Sequence, residues 1–294
     1  MNEPARLAAI DIGSNAVRLL IAEVGDDSTI TDKVKLLRVP LRLGFEAFFA
    51  GRIPQDKIVQ LEKTLTAFKL LMEVYKVEDY KACATSAMRE ADNGQDIVAQ
   101  MKKRTGISIE IISGDQEAKL IFETHIADRL TPDRHYLYID VGGGSTEVTL
   151  FADKERKAIH SFNIGAIRVL NKQVKESEWD ELKQFLKQLA ADDKTMVAIG
   201  SGGNINTLYQ ISRTKPGKPL DFGYLKTKVK ELEALTMEER MTKYGLKRDR
   251  ADVIIPALKI FVNAMKWADI HKIYVPKIGL VDGLVQKLAE ARKP

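Results

Sequence analysis

The segment YLYIDVGGGSTEVTL, Tyr136 to Leu150, is built as strand, turn and strand. Tyr136 to Val141 is a short apolar run rich in aromatic and β-branched residues, the composition of a buried strand. It closes on Asp140 and opens into Gly142, Gly143 and Gly144, which permit backbone angles that side chains forbid and let a ligand approach the main chain. Successive N–H groups in such a turn form a concave anion site, to which Ser145 and Thr146 add hydroxyl donors. Asp140, at the mouth of the turn, is placed to hold Mg²⁺ or a metal-bound water beside the anion. A glycine-rich hairpin with a capping Asp would read the same way, so this stretch alone leaves both accounts open.

The pattern recurs at the N-terminus. Leu7 to Val24, LAAIDIGSNAVRLLIAEV, again runs apolar strand, Asp-x-Gly, small polar residues, apolar strand, with Asp11, Gly13, Ser14 and Asn15 where the other copy has Asp140 and its glycines. Two such hairpins predict two related halves, each offering an Asp and a polar turn. A third candidate phosphate site is Gly200-Ser201-Gly202-Gly203, a glycine-rich turn between a strand ending near Ile199 and a helix. Close packing is the alternative use for those glycines.

Between these loops, strands alternate with amphipathic helices, which indicates α/β architecture. Ile58, Leu61, Leu65, Phe68 and Met72 recur at helical spacing across Gln55–Tyr75. Tyr80 to Thr85 is a predicted strand delivering Ser86 to Glu90 to its end. Asp92 or Asn93 is expected to cap the following helix, which Gly106 stops. Ile107 to Ile112 is another strand, followed by a helix capped by Asp115 with Glu117 in its first turn. Phe45 to Gly51 is expected to be an apolar loop, and Thr131-Pro132-Asp133 a turn opening the second half. Thr236-Met237-Glu238-Glu239 fits a capping box, and Pro256 falls early in a helix.

Composition sets bounds. With 294 residues, 45% hydrophobic and 30% charged, the chain can fill one large or two ordinary domains. A net charge of +5 suits an anionic ligand without demanding one. No run reaches the length of a membrane span, and residues 1–6 lack a signal-peptide pattern. The single cysteine, Cys83, lies among apolar residues, which together with these absences suggests a reducing cytoplasm. His125, His135, His160 and His271 show no metal-ligand spacing. Basic residues are interspersed with acids, which disfavours nucleic acid. Neither a Walker A loop nor a complete dinucleotide fingerprint is present.

Taken together, AAIDIGSNAVRLLIAEV, ATSAMREADN, TGISIEIISGDQEAKLIF, YIDVGGGSTEVTLF, FNIGAIRV, AIGSGGNI and RADVIIPAL resemble the exopolyphosphatase and guanosine pentaphosphate phosphohydrolase (Ppx/GppA) family, of the actin, sugar-kinase and heat-shock ATPase superfamily. The resemblance implies two ribonuclease H-like (actin-like ATPase) domains, mixed sheets flanked by helices with a cleft between them. Residues 1–124 would form the first, completed by the C-terminal helix at about 280–294, and residues 125–279 the second. It implies Mg²⁺-dependent hydrolysis of a terminal phosphoanhydride in inorganic polyphosphate or guanosine pentaphosphate, in a cytoplasmic homodimer. Glu117 matches the family's general base, flanked by Gln116 and Lys119 where relatives have glutamate and arginine.

On the same footing, Arg89 would be a phosphate clamp and Asp140 with Glu147 the metal shell, joined by Asp11. Gly13, Ser14 and Asn15, then Gly142, Gly143, Gly144 and Ser145, and then Gly200, Ser201, Gly202 and Gly203 would bind phosphate. The family's proline-glycine-glycine stretch is Pro256-Ala257-Leu258 here. Its later pieces appear as Pro276-Lys277-Ile278-Gly279 and Val281-Asp282-Gly283, which puts substrate choice in question. The lack of further helical domains after residue 294 suggests short polyphosphate or guanosine pentaphosphate. Two other readings stay open: a small-molecule kinase or ATPase of the superfamily, and a non-catalytic guanosine tetra- or pentaphosphate-binding regulator.

Overall fold

The computed structural model describes residues 4–25, 28–122, 134–153, 155–192 and 196–292. The expected turn at 131–133 and His125 lie outside them. The chain divides into two compact units, Met1–Ile126 with Gly279–Pro294, and Ala127–Ile278.

The first unit contains β1 (Ala5–Ile12), β2 (Val17–Val24), β3 (Ile30–Val39), α1 (Gly44–Ala50), α2 (Gln55–Val74), β4 (Asp79–Ala84), α3 (Ser86–Glu90), α4 (Gly94–Thr105), β5 (Ile109–Ile111) and α5 (Gly114–Phe122). The second contains β6 (Tyr136–Val141), β7 (Thr146–Ala152), β8 (Glu155–Phe162), α6 (Ala166–Leu170), α7 (Glu176–Asp192), β9 (Val197–Ser201), α8 (Gly203–Ser212), β10 (Leu220–Asp221), α9 (Phe222–Glu233), α10 (Met237–Tyr244), α11 (Arg248–Ala251), α12 (Ile254–Trp267) and β11 (Lys272–Tyr274). The chain then returns to the first unit as α13 (Leu280–Glu290).

The two sheets share one plan. In the first the order is β3-β2-β1-β4-β5, with β1, β2 and β3 antiparallel and β1, β4 and β5 parallel. In the second β8-β7-β6-β9-β11 repeats that order and sense, and β10 adds an antiparallel edge. This mixed order, covered by helices, is the ribonuclease H-like arrangement. Central strands buried on both faces read as continuous apolar runs, as β1 and β6 do.

Alternation along the strands divides the first sheet into two faces. Ala8, Ile10, Ile12, Val17, Leu19, Ile21, Ala82 and Ala84 pack with α1 to α4 in one core. Leu7, Ala9, Asp11, Arg18 and Cys83 therefore face the other side, where α13 packs on β1, β2 and β4 and also on α5. In the second unit the apolar α12 is the central helix, touching β6 and α6 to α9, and Trp179 meets Trp267 edge-on. Among the described residues no helix is long and apolar enough to cross a membrane.

Three local expectations are corrected. Phe45 to Gly51 is not a loop: residues 44–50 are helical, burying Gly44 and Ala47 on one face, and Gly51 ends the helix at φ +68°. Asn93 precedes α4 but does not cap it; its amide side chain instead pairs with the N–H and carbonyl of Ile53. Asp115 is not the cap of α5. Ser113 Oγ accepts from Gln116 N at 3.1 Å, and Gln116 Oε1 accepts from Ser113 N at 2.8 Å, a reciprocal box written as Ser-x-x-Gln. The box at Thr236 and Glu239 forms as expected.

Candidate active site

In the first unit the carboxyl ends of β1, β4 and β5 lie side by side. Thr85 N donates to Ile12 O at 3.2 Å, and Ile112 N to Ala84 O at 3.0 Å. The chain leaves those ends as the turn after Ile12, the short α3 and the start of α5, so each strand delivers polar residues to one edge, where ligand sites in open α/β sheets are found. Ser14 Oγ and Ser86 Oγ share a 2.8 Å hydrogen bond, both side chains buried. Arg89 Nη1 donates to Ile112 O at 2.8 Å, one residue before the cap of α5. Glu117, half-buried, sits in the first turn of that helix.

Asp11 is 3% exposed, and Arg18 Nη1 donates to it at 2.6 Å. Burial raises its carboxyl above the usual range, and the charge and hydrogen bond of Arg18 pull the other way. The Cys83 thiol, directly beside Asp11 across the β1–β4 pairing, is pushed up to about 12, first by burial, then by Glu110, with Asp11 and Glu117 adding to it.

The two glycine-cornered turns are held by the same device. In the first, Arg42 N donates to Asn15 O at 3.1 Å and Gly44 N to Ser14 O at 2.8 Å. In the second, Ala166 N donates to Gly142 O at 3.0 Å, Ile167 N to Gly143 O at 2.9 Å, and Arg168 Nε to Gly144 O at 2.8 Å. In a trans peptide the C=O of one residue and the N–H of the next point in opposite directions. Tying down those three carbonyls therefore turns the amides of Gly143, Gly144 and Ser145 away from α6. Among the described residues, no hydrogen bond engages the Gly143 or Gly144 N–H. Such a row of donors is an anion-binding concavity. A Cβ on Gly165 would lie 2.3 Å from Gly143 O, so this close seating of the turn requires glycine there.

Asp140 and Glu147 are directly paired across β6 and β7, at 8% and 1% exposure. Ser161 Oγ donates to Glu147 Oε1 at 2.9 Å. Thr146 is spent on structure, since its hydroxyl donates to Ile164 O. Gly13 N and Gly142 N close their own turns on Ala16 O and Ser145 O, at 3.1 and 3.0 Å, which removes them as phosphate donors.

The third loop departs most from expectation. Gly200 and Ser201 are strand residues at the end of β9, not a turn. Gly200 is a packing position, where a Cβ would meet Ile273 Cδ1 at 2.7 Å, and Ser201 Oγ donates to Ile278 O at 3.0 Å. The turn itself is Gly202, at φ +109°, with a Cβ position 2.7 Å from Val141 O. Gly203 then opens α8 against the guanidinium of Arg250, which donates to Asn204 Oδ1 at 3.0 Å.

Sequence reading missed Arg18, Ser161, Gly44, Gly165, Arg168 and Arg250. Register was the available signal for Arg18: in a tight hairpin, the residue facing Asp11 follows from counting across the turn. The others are tertiary contacts that no spacing announces.

The profile of the Ppx/GppA phosphatase family matches residues 20–291. The chain belongs to that family. Among relatives, Exopolyphosphatase 1 of Mycobacterium tuberculosis is 24% identical, over 95% of this chain and 87% of that one. The guanosine-5'-triphosphate,3'-diphosphate pyrophosphatase of Aeromonas salmonicida is 25% identical, over 98% of this chain and 60% of its own length. Among solved structures, the Aquifex aeolicus Ppx/GppA member superposes with a TM-score of 0.77 at 28% identity, covering 99% of each chain. An exopolyphosphatase from Cytophaga hutchinsonii gives 0.83 at 25% identity, covering 98% of this chain and 99% of that one.

Proposed function

We propose that this chain hydrolyses the terminal phosphoanhydride of inorganic polyphosphate, of guanosine pentaphosphate, or of both, with Mg²⁺ as cofactor and Glu117 as general base. Family membership supports the reaction class. The observation that supports carrying the reading to particular residues is the second turn, where three anchored carbonyls turn the amides of Gly143, Gly144 and Ser145 away from α6, a row that would suit a phosphate. Phosphoryl transfer asks chiefly for positioning and for charge stabilisation at the transferred group, with a carboxylate to orient or deprotonate water.

Asp140 and Glu147 fit a divalent cation. They are two nearly buried carboxylates set directly opposite one another on one face of the sheet, oxygen donors of the kind that hold Mg²⁺. Mg²⁺ is typically held by one or two carboxylates together with substrate phosphate oxygens, and when bound it neutralises charge on the phosphoryl group. Asp11, already held by Arg18, is the weakest metal ligand of the three acids first considered. Arg89, anchored through Nη1 on Ile112 O, would bind phosphate through its remaining donors, and Glu117 would take the proton of the attacking water.

The test is phosphate release with Mg²⁺ from tripolyphosphate, long-chain polyphosphate, guanosine pentaphosphate and ATP, for wild type and Glu117→Gln. Release from either of the first two or from guanosine pentaphosphate, lost in the variant, is expected. Release from ATP alone points to a kinase or ATPase, and tight guanine-nucleotide binding with no release points to a regulator.

A further inference from the structure

β1 and β4 end in register. Ile12 and Ala84 are their last Cα partners, and Ser14 and Ser86 each follow two residues later along their chains. That brings the two hydroxyls to 2.8 Å, with each residue 3% exposed. Ser14 is otherwise held by α1: Gly44 N donates to Ser14 O at 2.8 Å, and a Cβ on Gly44 would stand 2.7 Å from Ser14 Cβ. The hydroxyl hydrogens are therefore the adjustable part of the pair. Two hydroxyls carry two hydrogens and here share one bond. Among the described residues neither hydroxyl has a further hydrogen-bond partner, so one buried O–H is left to donate. A buried donor without an acceptor is unfavourable, and an ionised phosphate oxygen, which can only accept, is the kind of group that satisfies it.

We infer that Ser86 is a positioning residue for Ser14. Ser86 donates to Ser14 Oγ, which leaves the Ser14 hydrogen for a phosphate oxygen of the substrate. The inference rests on the phosphohydrolase reading given above, in which Ser14 belongs to the first phosphate-binding turn. Donation in this direction also polarises the Ser14 O–H and makes it the stronger donor. The opposite direction would spend the turn's own hydroxyl on the fold and leave Ser86 to meet the substrate.

The experiment compares Ser14→Ala, Ser86→Ala, Ser86→Thr and the Ser14→Ala/Ser86→Ala double variant with wild type. KM and kcat are measured for the best substrate of the panel above, together with the inhibition constant of inorganic phosphate and the denaturant midpoint. Ser14→Ala is expected to raise KM and the phosphate inhibition constant about 10–100-fold, the loss of a hydrogen bond to a charged acceptor. Ser86→Ala should raise both about 3–10-fold, as for a neutral hydrogen bond, with kcat moving less. Because Ser86 acts only through Ser14, the double variant should stay within about 2-fold of Ser14→Ala. Ser86→Thr, which keeps the hydroxyl, should stay within about 3-fold of wild type. If the alanine variant at 86 does not fold, Ser86→Cys, a weak donor of similar size, takes its place and should fall between Ser86→Thr and Ser14→Ala. A lowered denaturant midpoint in Ser86→Ala with KM and phosphate inhibition as in wild type would make the pair structural only and overturn the inference. A larger loss of binding in Ser86→Ala than in Ser14→Ala overturns it too, by reversing the direction of donation. A wild type that releases phosphate from neither polyphosphate nor guanosine pentaphosphate removes the hydrolase reading and this inference with it.

Discussion

Asp11 and Asp140 hold the same position in two hairpins of the same sheet plan, yet Arg18 faces the first and Glu147 the second. Continuing outward, the next strand supplies Arg38 in one unit and Ser161 in the other. The first row, Cys83–Asp11–Arg18–Arg38, carries its own cations. The second, Ser201–Asp140–Glu147–Ser161, carries two acids between two hydroxyls. One backbone plan therefore carries two rows of different composition, one with two arginines and one with two acids. The seating of the turns also differs. The Cβ position of Gly44 meets the side chains of Ser14 and Phe48, both at 2.7 Å, whereas that of Gly165 meets the backbone of Gly143 at 2.3 Å. The Phe48 ring can turn aside although Ser14 Cβ cannot, whereas Gly165 meets only peptide atoms and at shorter range, so the second hairpin is the more tightly specified.

The sharpest way to divide the two units is by function. Glu117→Gln, in the first, is expected to lower turnover by about 10²–10⁴-fold while leaving Mn²⁺ affinity unchanged. Parallel metal-binding and kinetic measurements check it, and a joint loss would break the proposed division of labour. Next come the glycines. Gly165→Ala should destabilise by about 1–3 kcal/mol or more through overpacking against backbone, and Gly44→Ala by less. Denaturant midpoints decide the order, and equal losses would remove the distinction drawn from the Cβ positions.

Arg18→Ala tests charge compensation. Leaving Asp11 nearly buried without its guanidinium should cost about 1–3 kcal/mol at neutral pH. Burial already raises the folded-state pKa of Asp11, so its ionisation destabilises the fold as pH rises from the ordinary carboxylate range through the raised value. Removing Arg18 raises that value further. The gap between variant and wild type should therefore be widest at neutral pH and shrink as acid protonates Asp11 in both. A gap constant with pH would mean Arg18 acts by packing. The smallest effect belongs to Gln116. Gln116→Glu keeps the capping box and should change stability by only about 0.3–1 kcal/mol in the favourable direction, through the helix dipole. Gln116→Ala should lose a comparable amount, read from thermal midpoints.

Much of this was legible in the chain. The two hairpins announced themselves because a buried strand, an Asp and a run of small residues leave a local imprint whose period is set by the backbone. The length and placement of α2 and the box at Thr236 followed from the same kind of local rule. The helix at 44–50 was misread because its apolar residues lack clear periodicity, so that only the fold tells which face is buried. The Ser113–Gln116 box was written in the sequence and passed over in favour of Asp115, whose carboxylate would serve as well in isolation. The third glycine loop failed for a deeper reason: glycine marks a close approach equally well whether the neighbour is a ligand or Ile273.

By itself the sequence determined the strand–turn–strand units, their repetition and the identity of the acids, since these depend on residues adjacent in the chain. Tertiary structure alone decided what the more distant polar groups are spent on: Ser201 on Ile278, Ser161 on Glu147, Arg168 on Gly144. Those assignments rest on sheet register and helix seating, which bring together atoms many residues apart, and no local pattern encodes where a hydroxyl or guanidinium finds its partner.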